Sequence, residues 1–384
     1  LPHLDADGAR EFELRKFEVD GSRPALRWTQ QEANLVVPLP APLGHGATTD
    51  LVIDFTIHAA ANVAAMPAAA VSKAEGMMQM LLWYPMLSDG HGVAAYGDPV
   101  GATPVADVRF RLRSASPVDF AVPGVLSTRT RHEVVGRLER ARDFAFAISP
   151  HFRRWTGGAD GERVEVYSRP GGDGATGRDL AIRALGKIAS VLKAPYPASR
   201  FVLVAGMMDL ESSGLAFVHQ DALASEYRIT HETAHQWFPW LVGSDQQREP
   251  WLDEALATYL ATDLHGPHVP WCSYLPVDRS VEQFLVEPPQ VAAATCTGYV
   301  ETVYLKGAAM FAAIDRAMGH RAFLAAIREY VASERWAVAS AHDLVRVLRA
   351  HAPDGAKLDA ILRVWLGQPA IHGRQPNPGM GPLV

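Results

Sequence analysis

His231-Glu232-Thr233-Ala234-His235, followed after eighteen intervening residues by Glu254, is the stretch that decides how this chain is read. Two histidines four residues apart share one face of a helix, so both imidazoles reach the same point in space. A carboxylate from a separate helix completes three protein ligands and leaves a fourth tetrahedral position for water. That is the open arrangement of a catalytic zinc site, whereas a structural zinc is closed by four protein ligands. Glu232, beside the first histidine, is placed to take a proton from that water. The pattern implies a zinc hydrolase with one Zn2+ per chain on His231, His235 and Glu254, and Glu232 as general base.

Working outward, the metal helix must end near Pro239, which cannot continue it. A second helix opens with Pro250 in its first turn and closes before Gly266, carrying Glu254 back over the first. Helical patterns follow over 304–318, 322–332 and 340–350, the last with Ser340 and Asp343 spaced as a capping box. Upstream lie a strand over 163–167, a glycine-rich loop over 170–177 and a helical run of Leu180, Ile182, Leu185, Ile188 and Leu192. An apolar strand at 201–205 comes next, then a segment at 214–218 that reads as an edge strand able to pair with an extended peptide. Before residue 152 the period changes to two. Residues 51–58 and 108–113 alternate apolar and polar, and Phe144, Phe146 and Ile148 continue the pattern, as half-buried antiparallel strands do. The expected architecture is α+β and multidomain: a β-rich domain over 1–152, then a mostly helical catalytic domain over 153–384.

A chain of 384 residues has room for two or three cores, and its net charge of -6, with no basic run, argues against a nucleic-acid partner. The alanine-rich stretch 58–71 is broken by Asn62 and Pro67 and is too short to span a bilayer, so no transmembrane segment is expected in this chain. A start at Leu1 without an initiator methionine suggests a processed form or a fragment. The two cysteines, Cys272 and Cys296, could pair across the irregular segment after Glu254 or remain separate thiols. A bridge would place the protein outside the reducing cytosol; two thiols would favour the cytoplasm.

The stretch His231-Glu-Thr-Ala-His-Gln-Trp-Phe, with Trp251-Leu-Asp-Glu-Ala-Leu-Ala-Thr-Tyr259 after it, resembles the zinc signature of the aminopeptidase N and leukotriene-hydrolase family of gluzincins. The resemblance covers most of the second half of the chain. It implies an all-β, saddle-like N-terminal domain followed by a thermolysin-like catalytic domain. It extends to Trp365-Leu-Gly-Gln-Pro-Ala, which looks like the end of that domain, and the expectation is a short form without the family's further C-terminal domains. Tyr304-Leu305-Lys306-Gly307 matches a family segment whose tyrosine donates a hydrogen bond to the oxyanion, with Tyr299 as a nearby competitor lacking the lysine and glycine. The family's exopeptidase loop aligns best with Leu210-Glu211-Ser212-Ser213-Gly214, although Leu210 and Ser212 depart from the usual residues. By that resemblance Glu211 holds the substrate's free α-amine, with Asp209 as the alternative.

The function this implies is a zinc-dependent aminopeptidase acting on peptides with a free N-terminus. The altered loop around Glu211 leaves a metalloendopeptidase open, and a non-catalytic peptide-binding part of a larger assembly is a third reading. Oligomeric state and the preferred N-terminal residue are not set by the sequence.

Overall fold

A computed structural model of the chain describes residues 12–29, 34–39, 41–59, 71–74, 76–87, 103–159, 162–246, 248–265 and 300–366. Cys272, Cys296, Tyr299 and the stretch after Leu366 lie outside these residues, and with them both readings of the cysteine pair and what each implied for location. Among the described residues no helix is long and apolar enough to cross a membrane.

The first part of the chain is built from antiparallel pairs. β1 (Phe12–Val19) pairs with β4 (Leu51–Ile57), and β2 (Arg27–Thr29) with β3 (Asn34–Val36). One sheet runs in the order β5 (Val71–Ala74), β6 (Met77–Met80), β11 (Phe146–Ser149), β8 (Asp119–Ala121). Another runs β7 (Ala106–Arg113), β10 (Glu133–Ala141), β9 (Val125–Arg129). The alternation is realised directly in β7: Phe110 is buried between exposed Arg109 and Arg111.

A five-stranded sheet begins at Arg153, in the order β12 (Arg153–Ala159), β13 (Glu162–Ser168), β14 (Arg200–Gly206), β16 (Leu215–His219), β15 (Leu210–Ser212). β13, β14 and β16 are parallel; β12 and β15 run antiparallel at the two edges. The segment expected as an edge strand, 214–218, is therefore interior. Its run Leu215-Ala216-Phe217-Val218 is buried throughout, which suits a strand covered on both sides, and the edge falls to β15, which carries Glu211. Helix α1 (Gly174–Leu192) makes the crossover between β13 and β14 and is capped by Asp173, whose side chain accepts from the backbone N–H of Thr176. It starts inside the glycine-rich stretch expected as loop. The reason is contact: a Cβ at Gly174 would stand 2.3 Å from the Trp155 ring, so glycine here permits close helix–sheet packing.

Among the described residues the remaining α-helices are α2 (Glu226–Ala234), α3 (Glu254–His265), α4 (Gly307–Met318), α5 (His320–Ser333), α6 (Ala341–His351) and α7 (Gly355–Leu366). The Ser340–Asp343 capping box opens α6 as its spacing implied. α7 was not anticipated, although Leu358, Leu362 and Leu366 recur every four residues and all are buried.

One apolar interior runs from Phe110, Val134 and Phe144 through Val164, Leu203 and Trp237 to Phe311, Tyr330 and Leu366. A smaller one, including Ala147, Tyr167, Val202 and Phe217, lies where the four-stranded and five-stranded sheets face each other. Arg142 crosses between the two parts of the chain, donating to the carbonyls of Thr103 (2.7 Å), Trp240 (2.8 Å) and Ala337 (2.7 Å).

Candidate metal centre

Ser225 caps α2 by accepting from the N–H of Arg228, and the helix then presents His231, Glu232 and, at its C-cap, His235. The helical path breaks at Phe238 (φ -134°, ψ 103°), one residue before Pro239. That is the position a following proline pushes out of the α region. The break aims the Phe238 carbonyl at Nδ1 of His235, 2.7 Å away. A carbonyl only accepts, so Nδ1 carries the proton and Nε2 is the nitrogen left to bind a metal.

Glu254 is the first residue of α3, which packs against α2 after a short turn over Pro250–Leu252. The two Nε2 atoms of His231 and His235 are 3.2 Å apart, and Oε2 of Glu254 lies 3.2 Å and 3.4 Å from them. Ligands at about 2.0–2.1 Å from a tetrahedral zinc stand about 3.3 Å from one another. The triangle thus fits one such ion, and its N, N, O donor set is one that zinc takes. All three residues are buried.

Neighbouring groups bear on this triangle. Thr258, one turn after Glu254, places its hydroxyl 3.4 Å from Nδ1 of His231. Tyr304 donates its hydroxyl to Oε1 of Glu254, and its ring lies nearly parallel to that of His231 at 5.6 Å. Burial raises the Glu232 carboxyl well above the usual carboxylate range; Asp209, Glu211 and Glu254 push the same way and His235 opposes them. Its Oε2 is buried without a hydrogen-bond partner. Burial would lower His235, yet the negative charges of Glu254, Glu211 and Glu232 outweigh it and raise it well above the ordinary histidine value. Glu254 is held far below the carboxylate range by His235 and His231 despite its burial. A metal entering this site therefore displaces a proton.

Glu211 belongs to the same cluster: one ligand atom each from Glu211, Glu232 and His235 lie within 4.8 Å of one another. Asp209, the alternative, is held by Nε of Arg228 and by the backbone N–H of His219. The structure thus brings together all six residues singled out in the sequence. It adds others that carried no signal of their own: Thr258, the Phe238 carbonyl, and two glutamines, Gln236 and Gln246. Gln246 donates to Oε1 of Glu211 at 2.9 Å. A cavity of about 20 Å³ beside them, room for about one water, is lined in part by Asp143, Glu211, Ser212, His235, Ser244 and Gln246.

Residues 179–365, which hold this whole constellation, match the peptidase family M1 domain. This stretch, just under half of the chain, is similar to that family. The chain is 25% identical over 249 residues to aminopeptidase M1-D of Oryza sativa subsp. japonica, covering 56% of this chain and 28% of the relative. It is 24% identical over 238 residues to the alanine/arginine aminopeptidase of Saccharomyces cerevisiae, covering 53% and 27%. The matched part is thus about a quarter of the length of these curated relatives. The fold is that of the M1 zinc metallopeptidase from Deinococcus radiodurans (TM-score 0.67, 19% identity, 93% of this chain and 84% of the other). A mutant of that enzyme bound to a Tyr-Ser-Ala substrate matches with a TM-score of 0.64 and 19% identity, over 93% of this chain and 84% of the other. These matches accord with the α+β architecture, an antiparallel β part followed by a helical part.

Proposed function

We propose that this protein is a zinc-dependent aminopeptidase that removes the N-terminal residue of peptides. The observation that carries the proposal is the position of Glu211: a carboxylate on an edge strand, within 4.8 Å of ligand atoms of Glu232 and His235. A substrate ammonium held there by a charge-assisted hydrogen bond sets the first peptide bond, not a later one, over the metal triad. His231, His235 and Glu254 would hold the zinc. When bound, zinc lowers the pKa of a coordinated water to about 7 and polarises a carbonyl.

The other steps belong to this chain's own residues. Glu232 takes the proton of the attacking water and passes it to the departing amine; its buried, proton-retaining environment suits a group that must accept a proton and release it again. Tyr304, a hydrogen bond away from Glu254, donates to the carbonyl oxygen as negative charge develops there. β15, at the sheet edge, offers backbone groups to an extended peptide.

The test is a panel of aminoacyl fluorogenic substrates and matched N-blocked peptides, assayed with chelator and with zinc restored. Chelator-sensitive cleavage of free-amine substrates alone is the expected result. Cleavage of blocked peptides at equal rate would make the protein a metalloendopeptidase. In the same assay Glu232→Gln should keep its zinc and lose about 10²–10⁴-fold in kcat. Zinc binding with no cleavage of either substrate class would leave only a peptide-binding role.

A further inference from the structure

We propose that Gln236 is a positioning residue that fixes the distance between the metal ligands and Glu211, with Gln246 setting the direction in which that carboxylate points. The proposal rests on the aminopeptidase reading for its functional consequence, but its structural content stands apart from it.

Gln236 follows the metal ligand His235 directly and is 0% exposed. Its carboxamide is matched on both sides by backbone: Oε1 accepts from the N–H of Gly214 (3.0 Å), and Nε2 donates to the carbonyl of Ser212 (3.2 Å). These are the two ends of the tight turn joining β15 to β16. Gly214 sits at φ +75°, a conformation that glycine adopts at no steric cost. Ser213, between them, is held from the other side by buried Asp143, which accepts from its N–H (2.8 Å) and its hydroxyl (2.7 Å). Three consecutive residues immediately after Glu211 are thus pinned, two of them by a side chain one bond along the chain from a metal ligand.

The carboxylate itself is fixed by a second glutamine. Gln246 is 2% exposed and donates to Oε1 of Glu211. With Oε1 engaged by Gln246, the other oxygen of Glu211 is left for a ligand. A group that must hold an ammonium at a set distance from a metal needs both the backbone and the side-chain restraint, because a displacement of about 1 Å can cost about 10²-fold in rate. Both glutamines act through Glu211: Gln236 through its backbone turn and Gln246 through its carboxylate.

The experiment has two readouts. Hydrogen exchange of the 210–216 segment in zinc-loaded Gln236→Met should accelerate at least about tenfold, since one buried hydrogen bond is worth about that factor, while exchange of 226–234 and zinc content stay as in the parent protein. Unchanged exchange at 210–216 overturns the clasp whatever the enzyme's substrates prove to be. In kinetics, Gln246→Met should raise KM for free-amine substrates about tenfold and leave kcat within about twofold, with Gln246→Asn recovering part of the loss. Gln246→Met should have no further effect in a Glu211→Ala background. An equal further loss in that background would show that Gln246 acts by general stability and overturns its role. If the parent protein cleaves no free-amine substrate, the aminopeptidase reading fails, and the exchange measurement still decides the clasp.

Discussion

His235 donates a hydrogen bond from Nδ1–H to the carbonyl oxygen of Phe238, 2.7 Å away, and thereby turns its Nε2 toward Glu254. The tautomer of a candidate metal ligand is set by the residue where the helix breaks, three positions along the chain. Three donor atoms are then held 3.2–3.4 Å apart with no further protein ligand required.

Removing one of the three should be felt first as metal loss. Glu254→Ala leaves two imidazoles and no anionic ligand, so the purified variant should contain well under one zinc per chain, as read by elemental analysis. Full occupancy with full activity would exclude Glu254 as a ligand.

Tyr304→Phe keeps the ring beside His231 and deletes only the hydroxyl. The expected loss is about 10²-fold in kcat with KM and zinc content little changed, as when one oxyanion donor is removed. A rise in KM alone would place Tyr304 in substrate binding instead.

Arg142→Met should lower stability by about 3 kcal/mol, because it leaves buried carbonyl groups unpaired along with the lost hydrogen bonds of a charged donor. Burial lowers the Arg142 guanidinium to about 10, opposed by Asp143, so it is still charged at pH 7. Denaturant unfolding checks the value. A change below about 0.5 kcal/mol, the range of an ordinary surface substitution, would show that these contacts do not join the two parts.

Asp173 caps α1, and its hydrogen bonds to Thr176 hold its carboxyl below the ordinary aspartate value of 3.8. A carboxylate lowered in the folded state stabilises the protein above its unfolded pKa, and that stabilisation disappears as the pH falls through the folded pKa. Asp173→Ala should therefore melt at a lower temperature than the parent at pH 7, and the gap should close as the pH falls through the lowered folded pKa of Asp173. A gap that persists in acid would mean that the cap acts without its charge.

Much of the site was legible because its chemistry is written at short range. The spacing of His231 and His235 fixes a helix face, and Glu254 follows at a distance that a helix, turn and second helix can close. Gln236 stands in the same quoted stretch, yet nothing local reveals that its carboxamide reaches the turn at Ser212 and Gly214; that contact depends on how β15 packs against α2. The edge strand was misplaced for a related reason. Four apolar residues at 215–218 mark a strand, but whether it is interior or at an edge depends on where its neighbours lie. Glycine-rich sequence before α1 suggested a loop because glycine is a poor helix former, and the Trp155 ring that requires the missing side chain lies in a different strand.

The shared interior from Phe110 to Leu366 bears on how this protein can be recombined. A chimera that joins its helical part to the β part of another chain of this fold would have to supply a guanidinium reaching the carbonyls of Trp240 and Ala337, and side chains that fill the space around Phe144 and Val134. Exchanges within one surface loop should be tolerated far better than exchanges of halves.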